Sequence, residues 1–340
     1  MLVNILIDTL VTGLPLIPAV LGVFIVLQLR QDFDLTVEGS YALGGAVAGI
    51  LIIHGVNPVI AMCAAAAAGF AAGMVTTGLS LLLRLPVLLS GLVMNMALFS
   101  VTLHVLGLPT ADLVGKSTIF SAVAAVPGRA ADLRMSAILG AIVVAILVCF
   151  ALFLKTEIGL ALRASGVNER MVRSQGVSGN GMLALSLGMS NALVAFGGSL
   201  TVQMQGYADV NMGSGVFILG AGSVLLGMLF LHPGGSQVVR IVAAVLLGGL
   251  VYRLILVAAL RFGLPAGDLK AVTALTLVIA VAAQSYATPA VSRYAVLFRQ
   301  RRGRGAAELS SPVSSSPVSS SPVSSSQPPS SPARMEASRG

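Results

Sequence analysis

The sequence predicts an all-α fold: a polytopic transmembrane helical bundle of about 8–10 spans, some of them broken or re-entrant, with a disordered C-terminal tail. Three observations carry this. Hydrophobic residues make up 56% of the 340-residue chain and charged residues only 9%, with a mean hydropathy of +0.96. A water-facing surface usually needs about 25% charged residues, so most of this surface must face lipid. Apolar runs of span length recur along the chain, whereas the last forty or so residues change to Arg, Ser and Pro.

A helical span needs about 20 mainly apolar residues. Candidates are 2–27, 35–54, 58–83, 87–106, 135–154, 181–202, 216–231, 238–260 and 270–285. The first has no basic lead and is too long for a signal-peptide core, so it reads as a retained helix. The second opens on a polar cluster, Asp32 to Ser40, and the seventh is short and rich in glycine (Gly213, Gly215, Gly220, Gly222, Gly227). Such segments are candidates for broken helices, whose irregular backbone survives at membrane depth only against protein or a wet cavity. Spacings such as Gly45–Gly49 and Gly69–Gly73 allow close backbone contact between helices.

Positive residues orient the chain. With the loop 155–181 in the cytoplasm, Lys155, Arg163, Arg170 and Arg173 share one side with Arg30, Arg84, Arg240 and the basic tail. Lys116, Arg129, Arg134, Arg261 and Lys270 fall outside, and so does the N-terminus. The net charge of +8 is therefore a topology signal and does not imply nucleic acid. The expected domains are a membrane domain, 1–298, and a tail, 299–340, with three Ser-Pro-Val-Ser-Ser copies too polar to bury a core. Its Arg run suits anionic lipid headgroups.

Chemical motifs are sparse. Gly115-Lys-Ser-Thr118 resembles the end of a phosphate loop, but the required glycine five residues earlier is Thr110, and no strand is expected before it. Cys63 and Cys149 read as small buried hydrophobes, and His54, His104 and His232 are too scattered for a metal site. No catalytic constellation stands out. The chain therefore reads as something other than an enzyme, with no cofactor of its own.

The loop after the fifth span is the most informative stretch. It reads as a short amphipathic helix, Gly166, then a second short helix capped at Asn168 and ending at Gly176. An elbow of this kind suits force transmission from a soluble partner, and equally an ordinary solvated loop. At membrane depth Asn95, Ser190, Asn191, Gln203 and Gln205 are candidates to line a pathway, with Asp209 and Asn211 at its outer mouth; interhelical hydrogen bonding is the plainer role. Glu38 reads as a cap on the start of a broken helix, Arg253 as snorkelling or paired with an acid, and Asp8 as a surface residue.

The loop sequence Gly159-Leu-Ala-Leu-Arg-Ala164, followed by Gly166-Val-Asn168, resembles the coupling segment of ABC permeases of the branched-chain amino acid and ribose importer superfamily. Asp34-Leu-Thr-Val-Glu-Gly-Ser40, Ser190-Asn-Ala-Leu-Val-Ala195 and Gln205-Gly-Tyr-Ala-Asp-Val-Asn-Met-Gly213 are similar to the same group, most of all to permeases that accompany tryptophan/tyrosine-type binding proteins. The likeness spans roughly residues 20–285; Leu29-Arg30-Gln31 and Met228, where an acidic residue is expected, depart from it.

The resemblance implies a multi-pass permease of the bacterial inner membrane, working by alternating access on a small solute, possibly an amino acid. A cytoplasmic ATPase would hold ATP and Mg²⁺ and grip Gly159, Leu160, Arg163, Gly166, Asn168, Glu169, Arg170 and Gly176. An extracytoplasmic solute-binding protein would deliver substrate, and a second permease copy would complete the pathway. Asp34, Thr36, Glu38 and Gly39 would form the broken-helix entrance. An ion-gradient-driven secondary transporter is the alternative; it needs ionisable groups at mid-membrane, and few are present.

Overall fold

The computed structural model describes residues 2–121, 129–231 and 238–283. The tail, His232 and the end of the last expected span lie outside them. The described chain is almost wholly helical, with seven helices long and apolar enough to cross a membrane and two shorter apolar ones. The first span is a single rod: α1 (Leu2–Gly13), one 3₁₀ turn at Leu14–Leu16, α2 (Ile17–Phe24) and a π-helical end at Ile25–Arg30. Pro15 and Pro18 each stand within the first two positions of a new helical segment, where a missing N–H does no harm. Gln31 stops the rod in a left-handed conformation (φ 63°).

There follow α3 (Thr36–Ile53), α4 (Pro58–Leu83) and α5 (Val87–Leu106). Next come β1 (Thr110–Asp112) and α6 (Arg129–Lys155). The elbow after it is α7 (Glu157–Val167) and α8 (Glu169–Ser174). The chain continues through α9 (Gly179–Gln205), β2 (Tyr207–Asp209), α10 (Val216–Phe230), α11 (Val238–Arg261) and α12 (Leu269–Ala283).

The bundle is assembled around α9, whose helical length is roughly 40 Å. Without a hydrophobic drive between helices in lipid, backbones must come close enough for dispersion to hold them. Glycine makes that possible here. A Cβ on Gly44 of α3 would stand 2.1 Å from the Ala195 carbonyl oxygen, and one on Gly73 of α4 would stand 2.3 Å from that of Leu187. Gly22 of α2 meets Ser190 in the same way. We expect Gly73→Leu to lower stability by about 1–3 kcal/mol or more, read as a fall in the thermal midpoint of the detergent-solubilised chain. An unchanged midpoint would show that α4 and α9 are not in backbone contact.

Several expectations are corrected. A strand does precede Gly115: β1 pairs antiparallel with β2, Thr110 opposite Asp209 and Asp112 opposite Tyr207. Three-residue strands carry no periodicity to read, and here they clasp the ends of α5 and α9. Cys63 and Cys149 are exposed on the protomer, because an apolar thiol in a membrane protein has no need of a protein core. Gly166 lies within α7; the break comes after Val167, where Asn168 caps α8. Arg253 finds no acidic partner among the described residues: its Nε donates to Thr12 Oγ1 at 3.0 Å, while Asp8 pairs instead with Arg261.

Candidate functional site

Two helices begin at the same depth, about half-way along α9. Asn191 is near the middle of α9, and its Nδ2 donates to Asp34 Oδ2 at 2.8 Å. Asp34 Oδ1 in turn accepts from the Thr36 N–H at 2.8 Å, so α3 starts here and not at the cytoplasmic end of the bundle. The chain reaches this point from Arg30 by an irregular stretch running back alongside the rod. Ser40 Oγ donates to Asn191 Oδ1 at 2.7 Å, and Asn191 Nδ2 also reaches the Leu187 carbonyl at 2.9 Å. Asp34, Ser40 and Asn191 are all buried.

The second start belongs to α10. After β2 the chain dips back inward, and Gly213 lies so close to the Glu38 carbonyl that a Cβ would be 1.9 Å from it. Glu38 Oε1 accepts from the Gly215 N–H at 3.0 Å. Glu38 thus caps α10, whereas α3 is capped by Asp34. The helix N-terminus carries a partial positive charge, and each of these two starts has a carboxylate against it.

Around this junction lie two openings. One, about 210 Å³, is lined by Glu38, Gly39, Asn95, Asn211 and Gly213, with Met96 and Phe99 at its exposed edge. The other, about 440 Å³, reaches from Tyr41 and Thr201 to Gln205, Asp209 and Asn211 on the outer side. Of the residues expected along a pathway, Asn95, Gln205, Asp209 and Asn211 therefore line cavities. Ser190 and Asn191 face neighbouring helices; Ser190 donates to the Gly22 carbonyl at 2.8 Å. Gln203 is buried, its Oε1 accepting from the Ile119 N–H at 3.2 Å and its Nε2 lacking a partner. Thr36 bonds to Thr76 of α4 at 2.9 Å. Tyr41 and Thr201, whose hydroxyls meet at 2.6 Å, are not marked in the sequence, because aromatic and hydroxyl residues in apolar runs give no distinguishing signal.

At the end of the bundle that the positive residues assign to the cytoplasm, α7 turns Gly159, Leu162 and Ser165 inward, a one-face spacing on a helix. Gly166 abuts the end of the rod: a Cβ there would be 1.8 Å from the Leu29 carbonyl oxygen. Asn168 Oδ1 accepts from the Met171 N–H at 3.0 Å. Glu169 pairs with Arg173 at 2.7 Å and with Arg30 at 3.7 Å, tying α8 to the same rod. Arg30 also holds Asp32 at 3.1 Å, though burial still pushes the Asp32 carboxyl up. Arg163 Nε is buried without a partner. Ile158, Leu160, Val167 and Met171 are left exposed, as is Arg170, and Gly176 closes the loop at φ 85°.

The family model for the branched-chain amino acid transport system permease component matches residues 5–282. The chain belongs to this family. The permease is 30% identical over 258 residues to the tyrosine transport system permease protein of Clostridioides difficile, covering 76% of this chain and 84% of that one. It is 31% identical over 280 residues to an uncharacterized protein, RP368, of Rickettsia prowazekii, covering 82% and 97%. The ribose import permease protein RbsC of Escherichia coli is 28% identical over 229 residues, 65% of this chain and 68% of that one. No solved structure matches the permease. With seven long apolar helices among its described residues, it is a multi-pass protein of the bacterial inner membrane and a permease of an importer.

Proposed function

We propose that the permease imports an amino acid by alternating access, driven by a separate ATPase that holds ATP and Mg²⁺. The observation that carries this reading is the attachment of the α7–α8 elbow to the rod. Gly166 and Glu169 meet Leu29 and Arg30, and only three residues separate the rod's end from Asp34, whose carboxylate holds the first N–H of α3. Movement of the elbow is thereby passed into the junction of the two helix starts. The exposed Leu160 and Val167 on the outer side of α7, with Met171 of α8, give a soluble ATPase apolar side chains to grip.

The same geometry supports the remaining partners. The opening at Glu38 and Asn95 is unfinished on the α5 side, where a second permease copy closes it. The outer cavity, with Asp209 and Asn211 at its mouth, receives solute from a binding protein. The amino-acid class rests on the tyrosine transport relative, which the match covers over most of its length. Lipid surrounds the exposed apolar faces.

In proteoliposomes holding the permease with its ATPase and binding protein, uptake is expected to need ATP inside and to stop with vanadate, while a protonophore leaves it unchanged. Uptake that persists without ATP and collapses with the ionophore would overturn the proposal in favour of a gradient-driven carrier.

A further inference from the structure

The larger cavity holds a cation that the transport cycle just described does not use. Arg253 lies eight residues before the end of α11, so its Cα is roughly 12 Å from that end along the helix axis. Its stem packs on Gly13, where a Cβ would be 3.1 Å from Arg253 Cγ. A guanidinium has five N–H donors, and here Nε alone has a side-chain acceptor, Thr12 Oγ1.

Among the described residues no carboxylate comes within ion-pair distance of Arg253. Asp8 is taken by Arg261, and the Tyr41 hydroxyl by Thr201. The carboxylate that shares the cavity, Asp209, accepts the Asn211 N–H at 2.7 Å through Oδ1. Lys270 and Thr273 of α12 line the same space. At about 440 Å³ the cavity falls in the range that holds small ligands.

An unpaired guanidinium within a span is costly unless something answers its charge. A planar fork of N–H donors matches a carboxylate better than any other small anion except phosphate. We propose that this cavity binds a small carboxylate from the aqueous side, held by Arg253 with Lys270 in support. If the permease imports an amino acid, as proposed above, the group bound is the solute's own carboxylate. The binding itself needs neither ATPase nor binding protein.

The test uses the full chain in phosphatidylcholine nanodiscs, with acetate titrated against chloride at constant ionic strength and followed by saturation-transfer NMR. Methylammonium serves as the cationic counterpart. Acetate is expected to bind and methylammonium not. Arg253→Gln should weaken acetate at least tenfold, Arg253→Lys, which keeps the charge but loses the fork, should weaken it less than Arg253→Gln, and Lys270→Gln should weaken it several-fold. Arg261→Gln, on an exposed residue already paired with Asp8, should leave it unchanged.

Equal acetate binding in the wild type and Arg253→Gln overturns the proposal. Should that variant fail to fold, unchanged affinity in Lys270→Gln does the same. Native mass spectrometry showing an Arg253-dependent anionic phospholipid, with acetate excluded, also overturns it by assigning the site to a lipid phosphate. Because the assay contains no ATP, its failure leaves the transport proposal standing, and failure of ATP-driven uptake leaves the acetate result standing.

Discussion

Asn191→Leu is expected to destabilise the permease by about 1–3 kcal/mol, the cost of leaving a buried carboxyl without its hydrogen-bond donor. Asp34 is buried among α3, α5 and α9, and Asn191 Nδ2 satisfies its Oδ2 at 2.8 Å. Leucine has the volume but no donor, and it strands Ser40 Oγ as well. The readout is the thermal midpoint of the solubilised chain, which should fall by roughly 5 °C. Adding Asp34→Asn to Asn191→Leu should recover much of the loss. The amide carries no charge, and its oxygen can still accept from the Thr36 N–H. If the double variant is no more stable than Asn191→Leu alone, the charge of Asp34 is not what Asn191 answers.

Gly166→Val is expected to lower transport-coupled ATP hydrolysis on the order of tenfold or more while leaving membrane insertion intact. The added Cβ would fall 1.8 Å from the Leu29 carbonyl oxygen, a backbone atom that no side-chain rotation can move. The elbow must lift from the rod, and a loss of about 1.4 kcal/mol at that seat already costs a factor of ten in a rate that depends on it. The measurement is ATPase activity of the reconstituted complex with and without loaded binding protein. Gly140→Ala, at a position with nothing within 4 Å, is the matched control. Normal stimulation in Gly166→Val would place the coupling contact elsewhere.

Sequence reasoning succeeds here where a local pattern has a physical cause. Spans such as Pro58–Leu83 and Val87–Leu106 are read to the residue because lipid demands an unbroken apolar run. Asn168 as a cap and the polar opening of α3 are likewise local chemistry. What stays hidden is pairing over distance. Asp34 and Asn191 are 157 residues apart, and Glu38 reaches 177 residues on to cap α10. Neither residue shows in its own neighbourhood which backbone it will meet. The fate of Arg253 stays hidden for the same reason: its partner, Thr12, lies 241 residues away. The depth at which α3 and α10 begin follows only from these long-range contacts.

The glycine-mediated seating of α9 limits how such a protein can change shape. With carbonyls of α9 pressed against Gly44, Gly69 and Gly73, a slide of one helical turn would drive side chains into backbone on two sides at once. This pillar behaves as a fixed axle. In the proposed cycle, alternation between inward- and outward-facing forms would then fall on the irregular stretches at 31–35 and 210–215.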